Sequence, residues 1–386
     1  MIAALLSVAG VVLGIAVVAV GHGLLTVFVS VRLNLEGFSG PMIGVVVAAH
    51  SVGFLVGCLV AGRIIARLGA IKSFASYGAL MTAATLAFAL QVDIAFWSGL
   101  RFLTGFAVAG FFVIAEGWLN IATPNALRGR VFGVYMITNK IAHGGGQLLL
   151  AVADPMGLVH FMISAVCFAF CFLPVAAVRG EAPSTEGAKS MNPAELWRAS
   201  PVAVIACLVA GFNNTSVVGL GPVYAARIGL GTGEIALFAA ALQFGNVLLQ
   251  YPLGRLSDVG DRRRALLVAA GGTTLFAFLL ALWPTPSLAW LALFSALYGG
   301  LSFTFYPIAL AHAADRVTPE QMVATTSGLM LVWGTGSMIG PIISASVMER
   351  FGPGALFGAV ATVTAGLVLF TFGRMKRRPP AEGRLG

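Results

Sequence analysis

Arg101, Glu116 and Lys140 each interrupt an apolar stretch in a chain that is 59% hydrophobic and only 10% charged. A charge in hydrocarbon is costly, so it persists where it pairs, lines water or carries a proton. Glu116 is the one carboxylate well inside such a stretch, which makes it the leading proton-coupling candidate. A structural Glu116–Lys140 pair is the competing reading. His22 and His50 fall at mid-depth in their own apolar runs and are further coupling candidates, since imidazole changes charge near neutral pH. A hydrogen-bonded packing role is the alternative for both. Met136, Lys140, His143 and Gln147 follow helical spacing with Asn139 alongside, giving one polar face. Asn213 and Asn214 begin a polar run that continues through Thr215 and Ser216, and Gln243, Asn246 and Gln250 recur at spacings of three and four. Together with Arg101 these residues are candidates to line a solute cavity, and Tyr306 and Trp333 could supply aromatic walls.

This is chemistry of binding and proton movement, not of covalent catalysis. No Ser-His-Asp set or metal-spaced cluster can be assembled without arbitrary choice, so neither an enzyme nor a metal or other cofactor is expected. Cys58, Cys167, Cys171 and Cys207 all lie in apolar segments and read as small buried apolar residues. The net charge of +9 does not point to nucleic acid, because the basic residues fall in short loops.

Apolar runs near 20 residues recur along the chain, long enough to cross the hydrocarbon core as helices. They predict an all-α membrane protein with twelve spans, at 4–31, 41–61, 74–91, 94–121, 131–153, 156–178, 201–224, 234–253, 265–283, 288–312, 321–348 and 355–373. The first run lacks a basic flank and reads as a retained helix, not a removed signal. The expected organisation is a six-helix bundle at 1–178, a cytoplasmic linker at 179–200 with a short helix near 193–198, a second bundle at 201–373 and a cytoplasmic tail at 374–386. Of the 23 Lys and Arg, only Arg32, Arg227 and Arg350 fall in loops assigned outside, and Arg101 and Lys140 within spans. The rest lie on the side holding both termini, so that side is the cytoplasm.

The two halves repeat a motif. Gly62, Arg67, Gly69 and Lys72 return half a chain later as Gly254, Arg255, Leu256, Asp258, Arg262, Arg263 and Arg264. These positions resemble the loop signature Gly-x-Leu-x-Asp-Arg-x-Gly-Arg-Lys of the major facilitator superfamily. Arg101 with Gly105, and Gly336 with Gly340-Pro341, resemble two more of its signatures. The resemblance spans nearly the whole chain. It implies two pseudo-symmetric six-helix bundles and a latch role for the loop motif. Ala66 stands where the first copy would carry its Asp, while Asp258 keeps the second. Within the superfamily the chain resembles the YcaD-type bacterial proteins, through Glu116, Arg128-Gly129-Arg130, Gly146-Gln147-Leu148-Leu149, Gln250-Tyr251-Pro252-Leu253 and Phe303-Thr304-Phe305-Tyr306-Pro307.

The expected function is therefore secondary active transport by alternating access, proton-coupled, in a bacterial inner membrane. The expected partners are a small-molecule substrate, the lipid bilayer and protons, with the chain a monomer. Two candidate cations against one carboxylate favour a small anionic, zwitterionic or neutral metabolite. The alternative is efflux of drugs or amphipathic compounds by proton antiport; a membrane sensor without transport ranks below both.

Overall fold

The computed structural model describes residues 2–124, 127–176, 193–282 and 287–377, and no strand occurs among them. In chain order the helices are α1 (Ile2–Leu35), α2 (Gly40–Leu68), α3 (Ala70–Ala87), α4 (Ile94–Ala122), α5 (Arg128–Leu148), α6 (Val159–Phe170), α7 (Leu173–Ala176), α8 (Pro193–Ala199), α9 (Pro201–Arg227), α10 (Thr232–Val259), α11 (Arg262–Leu282), α12 (Leu288–Ser302), α13 (Phe305–Ala314), α14 (Pro319–Phe351) and α15 (Ala355–Arg377), with a 3-10 turn at Leu149–Val152.

Ten stretches among the described residues are long and apolar enough to cross a membrane, where the sequence predicts twelve. The two that fall short are α3 and α5. The first is only 18 residues long and carries Lys72 and several hydroxyls; the second carries Arg128, Arg130, Asn139, Lys140, His143 and Gln147. Two expected spans are broken helices, α6 with α7 and α12 with α13. Each break has a proline four residues beyond it, Pro174 after Phe170 and Pro307 after Phe303. A proline ring collides with the carbonyl four residues back and offers it no N–H.

Local chemistry sets the helix ends. Asp93 caps α4 by accepting from Phe96 N at 2.8 Å, and Ser200 caps α9 by accepting from Ala203 N at 3.3 Å, ahead of Pro201 at the first helical position. Gly69, at φ 79°, turns the chain between α2 and α3, a conformation that suits glycine. The short helix expected near 193–198 is α8. The expected linker lies mostly outside the described residues, as does the tail beyond 377.

The chain packs as two units. One comprises Met1–Gly37 and Ala49–Gly187, the other Phe38–Ala48 and Ala188–Gly386. The first turns of α2 thus belong with the second unit. There the Glu349 carboxylate accepts from Gly40 N and from Arg227, each at 2.9 Å.

Both units use the same helix crossings. In the first unit α1 meets α5 where a Cβ on Gly23 or Gly146 would strike the carbonyl of His143 or Val20, and α2 meets α4 where Gly53 and Gly105 face the carbonyls of Phe102 and His50. In the second unit α9 meets α14 through Gly211 and Gly336, and α10 meets α12 through Gly245 and Gly299. Small residues let helix backbones touch where lipid supplies no hydrophobic drive for packing. Each pair recurs about half a chain later, so the duplication extends from the loop motif into the packing.

Candidate functional site

The first-unit crossings bring three histidines together. His22 precedes Gly23, whose contact is the carbonyl of His143; His50 supplies the carbonyl against Gly105. The His22 ring lies 5.0 Å from His50 in a stacked pose and 5.3 Å from His143 in a tilted one. The Nε2 atoms of His22 and His50 are 3.3 Å apart.

Hydrogen bonds define the direction of this contact. Thr104 Oγ1 donates to the Arg101 carbonyl at 2.9 Å, which leaves its oxygen to accept from His50 Nδ1 at 3.4 Å. A neutral His50 protonated at Nδ1 presents a bare Nε2. His22 must then hold its proton on Nε2 and donate it to His50. Thr26 Oγ1 lies 3.4 Å from the same His22 nitrogen. The pair therefore tolerates one proton between its facing nitrogens, since a second would set N–H against N–H.

Arg101 is only 2% exposed, and its Nε and Nη1 have no hydrogen-bond partner. Its guanidinium is within electrostatic reach of His22 and His50. Gln147 is fully buried, with both amide atoms unpartnered. His22, Asn139 and His143 border a cavity of about 20 Å³ whose other walls include Ile15, Val18, Val108 and Phe111. That is room for about one water, so any solute larger than water requires the helices to part. Lys140 is half-buried and engaged with other groups. Glu116 is exposed at the surface of α4, within electrostatic reach of Cys58 and Tyr135; the Tyr135 hydroxyl is buried without a partner.

The polar residues predicted for the second unit form a neutral interior. Asn213 Nδ2 donates to Thr364 Oγ1 at 2.8 Å while its Oδ1 has no partner. Ser302 donates to Asn214 at 3.1 Å, and Ser344 meets Ser216 at 3.1 Å. Gln243 and Asn246 are buried on α10. Tyr306 and Trp333 are half-buried against the apolar core of this unit, and so serve packing as well as any lining.

The loop motif behaves differently in its two copies. In the first, Arg67 and Gly69 are exposed and Gly62 is half-buried. In the second, Arg262 bridges Asp315 at 2.8 Å and Asp258 at 3.0 Å, while Arg263 chelates Asp261 at 2.7 Å. Asp258 itself is 73% exposed, so the sheltered contacts are those of Asp315 and Asp261. Sequence reasoning missed Asp315, whose signal was a lone acid at the end of α13. Gly254 meets nothing within 4 Å of an added Cβ, and Arg255 is exposed; close packing is thus not the reason for glycine at 254.

Burial would raise the Asp261 carboxyl, but hydrogen bonds and charge from Arg263 outweigh it and hold the group below the ordinary carboxylate range. A depressed folded-state pKa adds stability above the ordinary value that is lost as pH falls through the folded one. Asp261→Asn is therefore expected to be less stable than wild type at pH 7, with the gap closing under acid. Thermal midpoints from pH 7 down to pH 3 check this.

The family profile described as Major Facilitator Superfamily matches residues 11–330 and again 203–386. An uncharacterised MFS-type transporter YcaD of Escherichia coli O7:K1 is 28% identical over 355 residues, 91% of each chain, and one from Shigella flexneri matches equally. Among solved structures, the nucleoside transporter NupG superposes with TM-score 0.77 at 14% identity, covering 96% of this chain and 100% of its own. A D-xylose-proton symporter superposes with TM-score 0.72 at 14% identity, covering 98% of each chain.

Proposed function

Because this chain belongs to the major facilitator superfamily, a family of transporters and not of enzymes, we propose that it moves a small solute across a bacterial inner membrane by alternating access, driven by protons. The moving bodies are the bundles 1–178 and 201–373, joined by a cytoplasmic linker, with both termini in the cytoplasm and the chain acting as a monomer. The contact of His22 Nε2 with His50 Nε2 at 3.3 Å carries the coupling part of this reading. A proton delivered to that pair breaks the contact between α1 and α2, so protonation and helix movement become one event. The geometry favours these imidazoles over Glu116, which is exposed and outside this hydrogen-bonded chain. The two units differ in kind: the titratable side chains of the first serve coupling, while the second has a neutral interior of amides and hydroxyls around Asn213, Asn214, Gln243 and Asn246. The superposed symporter indicates that the fold accommodates proton coupling, and the nucleoside and xylose names guide the choice of test solutes.

The test is proteoliposomes holding a pH-sensitive dye, challenged with uridine, D-xylose and small carboxylates. At least one class should move protons with the solute. Glu116→Gln should keep that flux within about twofold of wild type; its loss with solute exchange intact would return the coupling role to Glu116. The absence of proton movement with any transported solute would end the coupled reading.

A further inference from the structure

Among the described residues of the first unit, the Arg101 guanidinium is buried without an acid to pair with. Arg101 has two nitrogens without partners at 2% exposure, and no carboxylate lies within ion-pair distance of it among the described residues. A lone buried cation destabilises the fold that contains it. A protein keeps one where something else supplies the negative charge for part of the cycle.

We infer that the solute supplies it: the cargo is a monocarboxylate whose carboxylate pairs with Arg101 and whose apolar body lies along the α4 face below. This deepens the transport reading and rests on it. Three features select the class. A guanidinium fork matches a carboxylate with two parallel bonds. Thr104, Val108 and Phe111 continue the Arg101 face of α4 at helical spacing, and Val108 and Phe111 are walls of the small cavity, so beyond the Thr104 hydroxyl the surface leading from Arg101 is apolar. The remaining polar groups at that cavity are the amide of Asn139 and the imidazoles of His22 and His143. Lys140 is within electrostatic reach of His143 but engaged with other groups, so Arg101 offers the one guanidinium fork beside these walls; that suits a single carboxylate on a hydrocarbon body, and phosphate or a dicarboxylate would demand more donors. Gln147, buried with both amide atoms unpartnered, is placed on α5 to serve a second polar atom of the cargo once the helices part. Pairing a carboxylate with Arg101 while the imidazole pair takes a proton would make the loaded unit no more charged than the empty one.

The experiment is a thermal-shift series on the purified full-length protein in detergent, with acetate, butyrate, lactate and benzoate, their amides, and inorganic phosphate as probes. At least one carboxylate should raise the midpoint of wild type while its amide and phosphate do not. Arg101→Met removes the unpaired charge and keeps the length. Its midpoint without solute should therefore rise by about 2 °C or more, and its response to carboxylates should vanish. Arg101→Lys should retain a weakened response. A lower midpoint for Arg101→Met would show that the side chain is structural and overturn the inference. An equal response to acid and amide, a response to phosphate in place of carboxylate, or no response to any probe would do the same. The coupling reading fails separately: a carboxylate that binds through Arg101 yet moves no protons in proteoliposomes would leave the anion site standing and remove the proton.

Discussion

Replacing His50 by glutamine is expected to reduce solute-linked proton movement to the level of empty vesicles while solute exchange continues. Glutamine can still donate to Thr104 and accept from His22, so the hydrogen-bonded chain keeps its length and polarity. What it loses is the ability to hold an added proton. His22→Gln should behave alike, because the two rings share one proton between nitrogens 3.3 Å apart. Thr104→Val separates tautomer control from proton capacity. Valine keeps the shape and removes the oxygen that faces His50 Nδ1, so both His50 tautomers become accessible. One neutral hydrogen bond is worth about 1 kcal/mol, and coupling should weaken by about fivefold without disappearing. The measurement is the ratio of protons to solute moved in proteoliposomes for each variant. If His50→Gln moves protons with solute as wild type does, the imidazole pair is a packing feature and the coupling group lies elsewhere.

The sequence reveals the membrane class, the helix positions and the loop repeat because each depends on residue type alone. Apolar run length locates α1 and α9, and the half-chain return of Gly62 at Gly254 exposes the duplication. Composition is also why ten of the twelve expected spans stand out as apolar: the polar side chains of α3 and α5 leave them without a stretch as apolar as those of the other ten. The site is harder to read. His22, His50 and His143 each appear in the sequence as isolated imidazoles, and their grouping depends on which of the 48 glycines mark backbone crossings. Gly105 stands out only through its spacing from Arg101, and no spacing rule separates Gly23 from a glycine facing lipid. Thr104 carried a weak signal, three residues after Arg101 on the same helix face, whereas its role in fixing the His50 tautomer follows only from the bond it makes to the Arg101 carbonyl. Glu116 shows the converse limit. Depth along a helix suggested burial, but the direction of the side chain decides exposure, and the sequence does not give that direction.

Gly23→Ala and Gly211→Ala should destabilise the protein by similar amounts yet differ in their effect on coupling. Each glycine sits where a Cβ would run into the carbonyl of a crossing helix, His143 for the first and Trp333 for the second. Backbone cannot move aside as a side chain can, so the helices must separate, at a cost of about 1–3 kcal/mol or more. Thermal midpoints should fall comparably for the two variants. The Gly23 change, however, pushes α1 away from α5 at the point that holds His22 5.3 Å from His143 and within reach of His50. The proton-to-solute ratio should fall in Gly23→Ala and stay at the wild-type value in Gly211→Ala, which lies on the α9–α14 crossing of the second unit, outside the histidine group, where Ser344 meets Ser216. Equal loss of the ratio in both would mean that coupling follows general stability and not the placement of the histidines. An unchanged ratio in Gly23→Ala, with the midpoint lowered, would detach proton movement from the α1–α5 crossing altogether.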